Sequence, residues 1–123
     1  MTMTKKRILL IDDEPGFTRM LRLNLEKTGA YEVREENRGA QGLATASEFK
    51  PDLILLDVIM PDADGGDVAA RIKADKNLKD VPIVFLTAVV TKKEEGMIGG
   101  RPFIAKPASV KDVIACIEKH LAK

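Results

Sequence analysis

Four apolar runs punctuate the chain: ILLI at 8–11, LILL at 53–56, IVFL at 83–86 and FIA at 103–105. A weaker, alternating stretch, YEVRE at 31–35, makes a fifth. Unbroken apolar runs of this length suit strands covered on both faces, as in a parallel sheet, whereas alternation suits an edge strand. Helix-length segments lie between the runs. In the first, Phe17, Met20, Leu21, Asn24, Leu25 and Thr28 share one face, and Gly29 suits a C-terminal stop. In the second, Ala40, Leu43, Ala44 and Ser47 form a small-residue stripe ahead of Lys50-Pro51. The third carries Val68, Ala69 and Ile72, with Asp64 as its N-cap. The last carries Val110, Val113, Ile114, Ile117 and Leu121, opened by a capping box of Ser109 and Asp112. Strands and helices alternate, which predicts an α/β fold: a doubly wound, five-stranded parallel sheet with helices on both faces. The two most apolar early runs belong at the centre and 31–35 at an edge, giving the order 2-1-3-4-5. Between 87 and 103 the pattern weakens. Gly96, Gly99, Gly100 and Pro102 fall there, and each interior glycine costs a helix about 1 kcal/mol relative to alanine. Any fourth helix is expected to be short, about 91–98, and weakly held, with 88–102 the most mobile part of the fold.

Bulk composition narrows the picture. The chain has 123 residues, a common length for one domain. Its 20 basic and 19 acidic residues nearly cancel, which leaves no electrostatic footprint for direct nucleic-acid binding or for a membrane surface. With one cysteine, Cys116, no internal disulfide can form, consistent with a reducing, cytoplasmic location. The apolar run after the basic start is too short for a signal peptide or a membrane span. Residues 1–123 therefore read as one soluble domain, with no output domain following the last helix.

The chemistry gathers at the ends of the runs. Asp12 and Asp13 follow the first strand, Asp57 the third, Thr87 the fourth, and Lys106 with Pro107 the fifth. In a parallel sheet all of these lie at the carboxyl edge, where open α/β sheets bind ligands. Three carboxylates, a hydroxyl and an ammonium should therefore meet in one cleft. Two carboxylates about 4 Å apart repel by about 4 kcal/mol at an effective dielectric near 20. Either some take up protons or a cation sits among them. Lys106 neutralises one charge, and a hard divalent ion that keeps several waters, magnesium rather than calcium, answers the rest. Asp57 stands alone on the central strand, so it is the candidate nucleophile toward phosphorus, with Asp12 and Asp13 facing it as metal ligands. Lys106 and the Thr87 hydroxyl would hold the phosphoryl oxygens.

These residues, together with the motif DVIMPDADG at 57–65, resemble a response-regulator receiver domain of two-component signalling, over essentially the whole chain. The resemblance implies a flavodoxin-like fold, and a chemotaxis protein of that family has the order 2-1-3-4-5. It implies that Asp57 is the phosphoacceptor for a sensor histidine kinase or phosphotransfer protein. Magnesium would be held by Asp13, Asp57 and the Ile59 backbone carbonyl, with Asp12 acting through a water. Thr87 and Phe103 would be the switch pair, and Lys106-Pro107 a cis bond. The protein would be a phosphoacceptor switch rather than an enzyme, catalysing only its own phosphorylation and dephosphorylation. It would be a monomer or a weak phosphorylation-dependent dimer and act on a downstream protein target. Two departures stand out: the segment between Thr87 and Lys106 is about a helical turn short, and Phe103 has no hydroxyl.

Other readings fit less of the sequence. A haloacid-dehalogenase-type phosphohydrolase needs a second aspartate two residues after its nucleophile, where Glu14 stands. Flavodoxin phosphate loops are rich in Gly, Ser and Thr, unlike DDEPG at 12–16. A docking surface that needs no phosphate leaves the acidic set unexplained. A calcium loop over 60–71 fails on spacing, so Asp62 and Asp64 read as turn and N-cap residues. KKEE at 92–95 reads as a solvated helical face, Cys116 as structural, and His120 as exposed and idle.

Overall fold

The computed structural model describes residues 4–87, 96–98, 101–106 and 109–121. Among these residues six strands form one sheet, in the order β2-β1-β3-β6-β8-β7. The first five of these are parallel neighbours: β1 (Lys6–Ile11), β2 (Tyr31–Glu36), β3 (Leu53–Leu56), β6 (Ile83–Thr87) and β8 (Arg101–Ala105). Counting only these, the order is the expected 2-1-3-4-5.

Period-two alternation divides each central strand between two cores. Leu9, Ile11, Ile54, Leu56, Ile83 and Phe85 pack on one face with α2 (Gly42–Phe49) and α3 (Gly65–Ala74). Ile8, Leu10, Leu53, Leu55, Val84 and Leu86 pack on the other with α1 (Pro15–Lys27) and α4 (Val110–Leu121). Both faces are covered, which is why these runs carry no polar position.

The helix ends follow the local chemistry. Pro15 opens α1, where a missing N–H costs nothing, and Gly29 just beyond it has φ +82°. Asp64 caps α3, accepting from the N–H groups of Gly66 and Asp67. Ser109 Oγ accepts from the Asp112 N–H at 3.0 Å at the start of α4. At the end of α2, Lys50 adopts the left-handed conformation, φ 55°, with Pro51 preventing continuation.

Three expectations need correction. The buried face of α2 is Gly42, Ala46 and Phe49, with Leu43 beside it, rather than Ala40, Leu43, Ala44 and Ser47. Phe49 sets the helix's rotation, because one aromatic outweighs a stripe of alanines in buried area. Residues 96–98, expected to close a short helix, instead form β7 (Gly96–Ile98), an antiparallel edge strand on β8. Glycines disfavour the helix. Residues 88–95, and with them KKEE and most of the expected helix, lie outside the described residues, as does Pro107 with its expected cis bond. His120 is half-buried rather than exposed and is not without a partner. No helix among the described residues is long and apolar enough to cross a membrane.

Candidate functional site

The sheet's hydrogen-bond ladders run one residue past the strand ends and fix the site. Asp12 N–H donates to the Glu36 carbonyl at 3.0 Å, and Asp57 N–H donates to the Ile11 carbonyl at 2.9 Å. Asp57 therefore stands beside Asp12 across neighbouring strands. Carboxylate oxygens of Asp12, Asp13 and Asp57 lie within 4.8 Å of one another. Lys106, directly after β8, reaches this group from two strands beyond β3 and three beyond β1. Its Nζ lies 2.5 Å from Asp12 Oδ2, 3.1 Å from Glu14 Oε1 and 3.8 Å from Asp57 Oδ2. The fold thus brings together all four charged candidates, from positions up to 94 residues apart.

The electrostatics follow from burial. Asp12 and Asp57 are the buried carboxylates of the cluster, 3% and 7% exposed. Burial raises the Asp57 pKa, helped by the Asp12 charge and opposed by Lys106, to about 6. Burial also raises Asp12, against its hydrogen bonds from Lys106 and the Glu14 N–H. For Lys106 burial is the largest single influence and works downward. The hydrogen bond and charge of Asp12, with Glu14 and Asp57 behind them, outweigh it and hold the ammonium above its ordinary range. Three close carboxylates facing one ammonium are the donor set a hard divalent cation fits.

A neighbouring network steadies this edge. Asn37 Nδ2 donates to the Asp12 carbonyl at 2.7 Å and to Thr18 Oγ1 at 3.0 Å. Thr18 Oγ1 in turn donates to Glu35, which also accepts from Arg22. On the other side, the chain after Asp57 turns through a two-strand ribbon, β4 (Ile59–Met60) against β5 (Ala63–Asp64). Gly65 closes that loop, its N–H donating to the Val58 carbonyl at 2.7 Å. A Cβ on Gly65 would lie 2.2 Å from the Asp57 carbonyl oxygen, so the loop admits no side chain there. Asp62 is more than a turn residue. Its carboxylate accepts from the N–H groups of Gly39 and Ala40, tying the loop after Asp57 to the turn before α2, and the Ala40 bond leads in holding its pKa low.

The remaining candidates are placed by backbone. Thr87 ends β6 in register with Ala105, one residue before Lys106, and Phe103 pairs with Phe85. The side chains of Thr87 and Phe103 lie outside the described residues. Ile59 opens the ribbon and is 61% exposed.

Among known families, the response regulator receiver domain matches residues 8–118. The chain belongs to this family. As a receiver domain it is 35% identical, over 95% of its length, to the DNA-binding dual master transcriptional regulator RpaA of Synechocystis, and spans about half of that relative, 49%. It is 32% identical to the polar-differentiation response regulator DivK of Brucella anthropi, covering 94% of this chain and 96% of DivK. Among solved structures, the receiver domain of the sensor histidine kinase PA1611 from Pseudomonas aeruginosa superposes with a TM-score of 0.85 at 27% identity, over 98% of this chain and all of that one. That structure is described with a magnesium ion coordinated in its active-site cleft. The receiver fold, the flavodoxin-like order of its parallel strands and the place in two-component signalling are thereby shown. Within that frame the sequence overlooked Glu14 and Phe17. Both touch Lys106, the Phe17 ring centre lying 4.4 Å from Nζ. Glu14 was visible in DDEPG at 12–16, but an exposed acid just ahead of a helix reads as a helix-dipole partner until the lysine's position is known.

Proposed function

We propose that this receiver is a phosphoacceptor switch whose phosphorylated residue is Asp57. One observation carries the reading: three carboxylates from two strand ends converge beside a lysine from a third, with Asp57 alone on the central strand. An Asp57 oxygen would form the new P–O bond as the P–N bond of a kinase phosphohistidine breaks. The bonding pair would stay on the imidazole nitrogen, and the imidazole would take up a proton. Asp12, Asp13, Asp57 and the Ile59 carbonyl would hold magnesium, which neutralises charge on the transferring group. The Lys106 ammonium would pair with a phosphoryl oxygen, and the Thr87 hydroxyl would donate to another. Phosphorylation would favour one of two arrangements around Thr87 and Phe103, a population shift that catalyses nothing beyond the domain's own phosphorylation and dephosphorylation. A sensor histidine kinase or phosphotransfer protein would supply the phosphoryl group in the cytoplasm, and a protein target would read the result.

The test is mass spectrometry of the intact chain after incubation with magnesium and acetyl phosphate. One added phosphate is expected on the parent and none on Asp57→Asn. No gain on the parent, or an equal gain on the variant, would refute the assignment.

A further inference from the structure

We infer that Glu14 is a positioning residue that holds Lys106 away from the phosphoacceptor and so slows phosphoryl uptake; the inference rests on the phosphoacceptor reading of Asp57. An ammonium has three N–H donors. At Lys106 the Asp12 and Glu14 carboxylates each take one, at 2.5 and 3.1 Å, while Asp57 at 3.8 Å lies beyond hydrogen-bond range. The Phe17 ring flanks Nζ at 4.4 Å, so the lysine is held between the first turn of α1 and the Asp12 strand end. One N–H stays free, but to bring it within hydrogen-bond range of the Asp57 carboxyl, Nζ must move from where Asp12 and Glu14 hold it. Asp12 belongs to the acidic cluster itself. Glu14 does not: it precedes α1 as its N-cap residue, makes no side-chain cap, and its side chain is 63% exposed. Its carboxylate therefore binds the lysine without any other role among the described contacts. An exposed ion pair is weak, so Glu14 restrains Lys106 without locking it.

Glu14→Gln keeps the shape and the backbone N–H to Asp12 but removes the charge. The rate of phosphorylation of the full chain is measured at fixed magnesium with two donors, dianionic acetyl phosphate and phosphoramidate, a net monoanion at neutral pH. The variant is expected to gain phosphate about two- to fivefold faster than the parent, by the same factor with both donors. The gain should shrink at high salt, where an exposed pair is screened. No acceleration overturns the inference. An acceleration confined to acetyl phosphate also overturns it, because it assigns Glu14 to general repulsion of the donor. A parent that accepts phosphate from neither donor removes the phosphoacceptor reading itself, and the inference with it; a phosphorylated parent with an unaccelerated variant removes the inference alone.

Discussion

Asp57 carries a conflict between folding and chemistry that can be measured. Burial and the Asp12 charge raise its folded pKa from 3.8 to about 6. An acid whose pKa rises on folding binds its proton more tightly in the native state. Its contribution is therefore intact below about pH 4 and is lost as pH rises through about 6. A shift of this size amounts to about 2–3 kcal/mol. Without divalent ions, Asp57→Asn should leave stability near pH 4 almost unchanged and exceed the parent by about 2 kcal/mol at pH 8. Urea denaturation of both proteins across that range checks it, and a pH-independent difference would contradict it. The identity of this residue was legible because it interrupts an apolar run at a strand end. Its proton affinity was not, because that depends on the distance to Asp12 and on burial, which only the folded backbone sets. The same holds for Glu14: its neighbourhood in sequence is α1, whereas its partner Lys106 lies 92 residues away.

At the scale of the element, two positions make opposite demands on the backbone. Gly65 packs against the backbone of Asp57 and Val58, where an added Cβ would come within 2.2 and 2.7 Å of main-chain atoms that cannot swing aside. Gly65→Ala should cost about 3 kcal/mol by overpacking and misplace Asp57, so that phosphate uptake falls more than loss of folded protein explains. Lys50 is the reverse case, a side chain in a left-handed cap that glycine fills without strain. Lys50→Gly should raise stability by about 0.5–1 kcal/mol in thermal unfolding and leave phosphate uptake unchanged. Which elements were readable follows from how much each depends on its own residues. The run at 53–56 is buried on both faces and matches β3 residue for residue. The face of α2 was misread because alanines mark no direction and Phe49 falls at the helix end. The strand at 96–98 was misread because glycines argue against a helix without announcing a strand, and its antiparallel pairing with Arg101–Phe103 leaves no mark in its own three residues.

At the scale of the whole molecule, the parallel sheet converts separation in sequence into convergence at one edge. Five strands end on the same side, so residues from 12 to 106 become neighbours without any local motif linking them. That is why the site could be placed from strand ends alone, and why stability and ligand binding share the same charges. A cation bound among Asp12, Asp13 and Asp57 relieves repulsion that exists only in the folded chain, because the unfolded chain separates these residues. Magnesium should therefore raise the thermal midpoint, by about 1.4 kcal/mol or roughly 4–6 °C at ten times its dissociation constant. The effect should depend on pH in a definite sense. At pH 5 Asp57 is mostly protonated, since its pKa is about 6, and the ion must displace that proton; at pH 8 the carboxylate is already ionised. Calorimetry at a fixed magnesium concentration should show a larger shift at pH 8 than at pH 5, and the shift should fall sharply in Asp57→Asn at both. A shift of equal size in the variant would mean that the ion binds elsewhere on the fold.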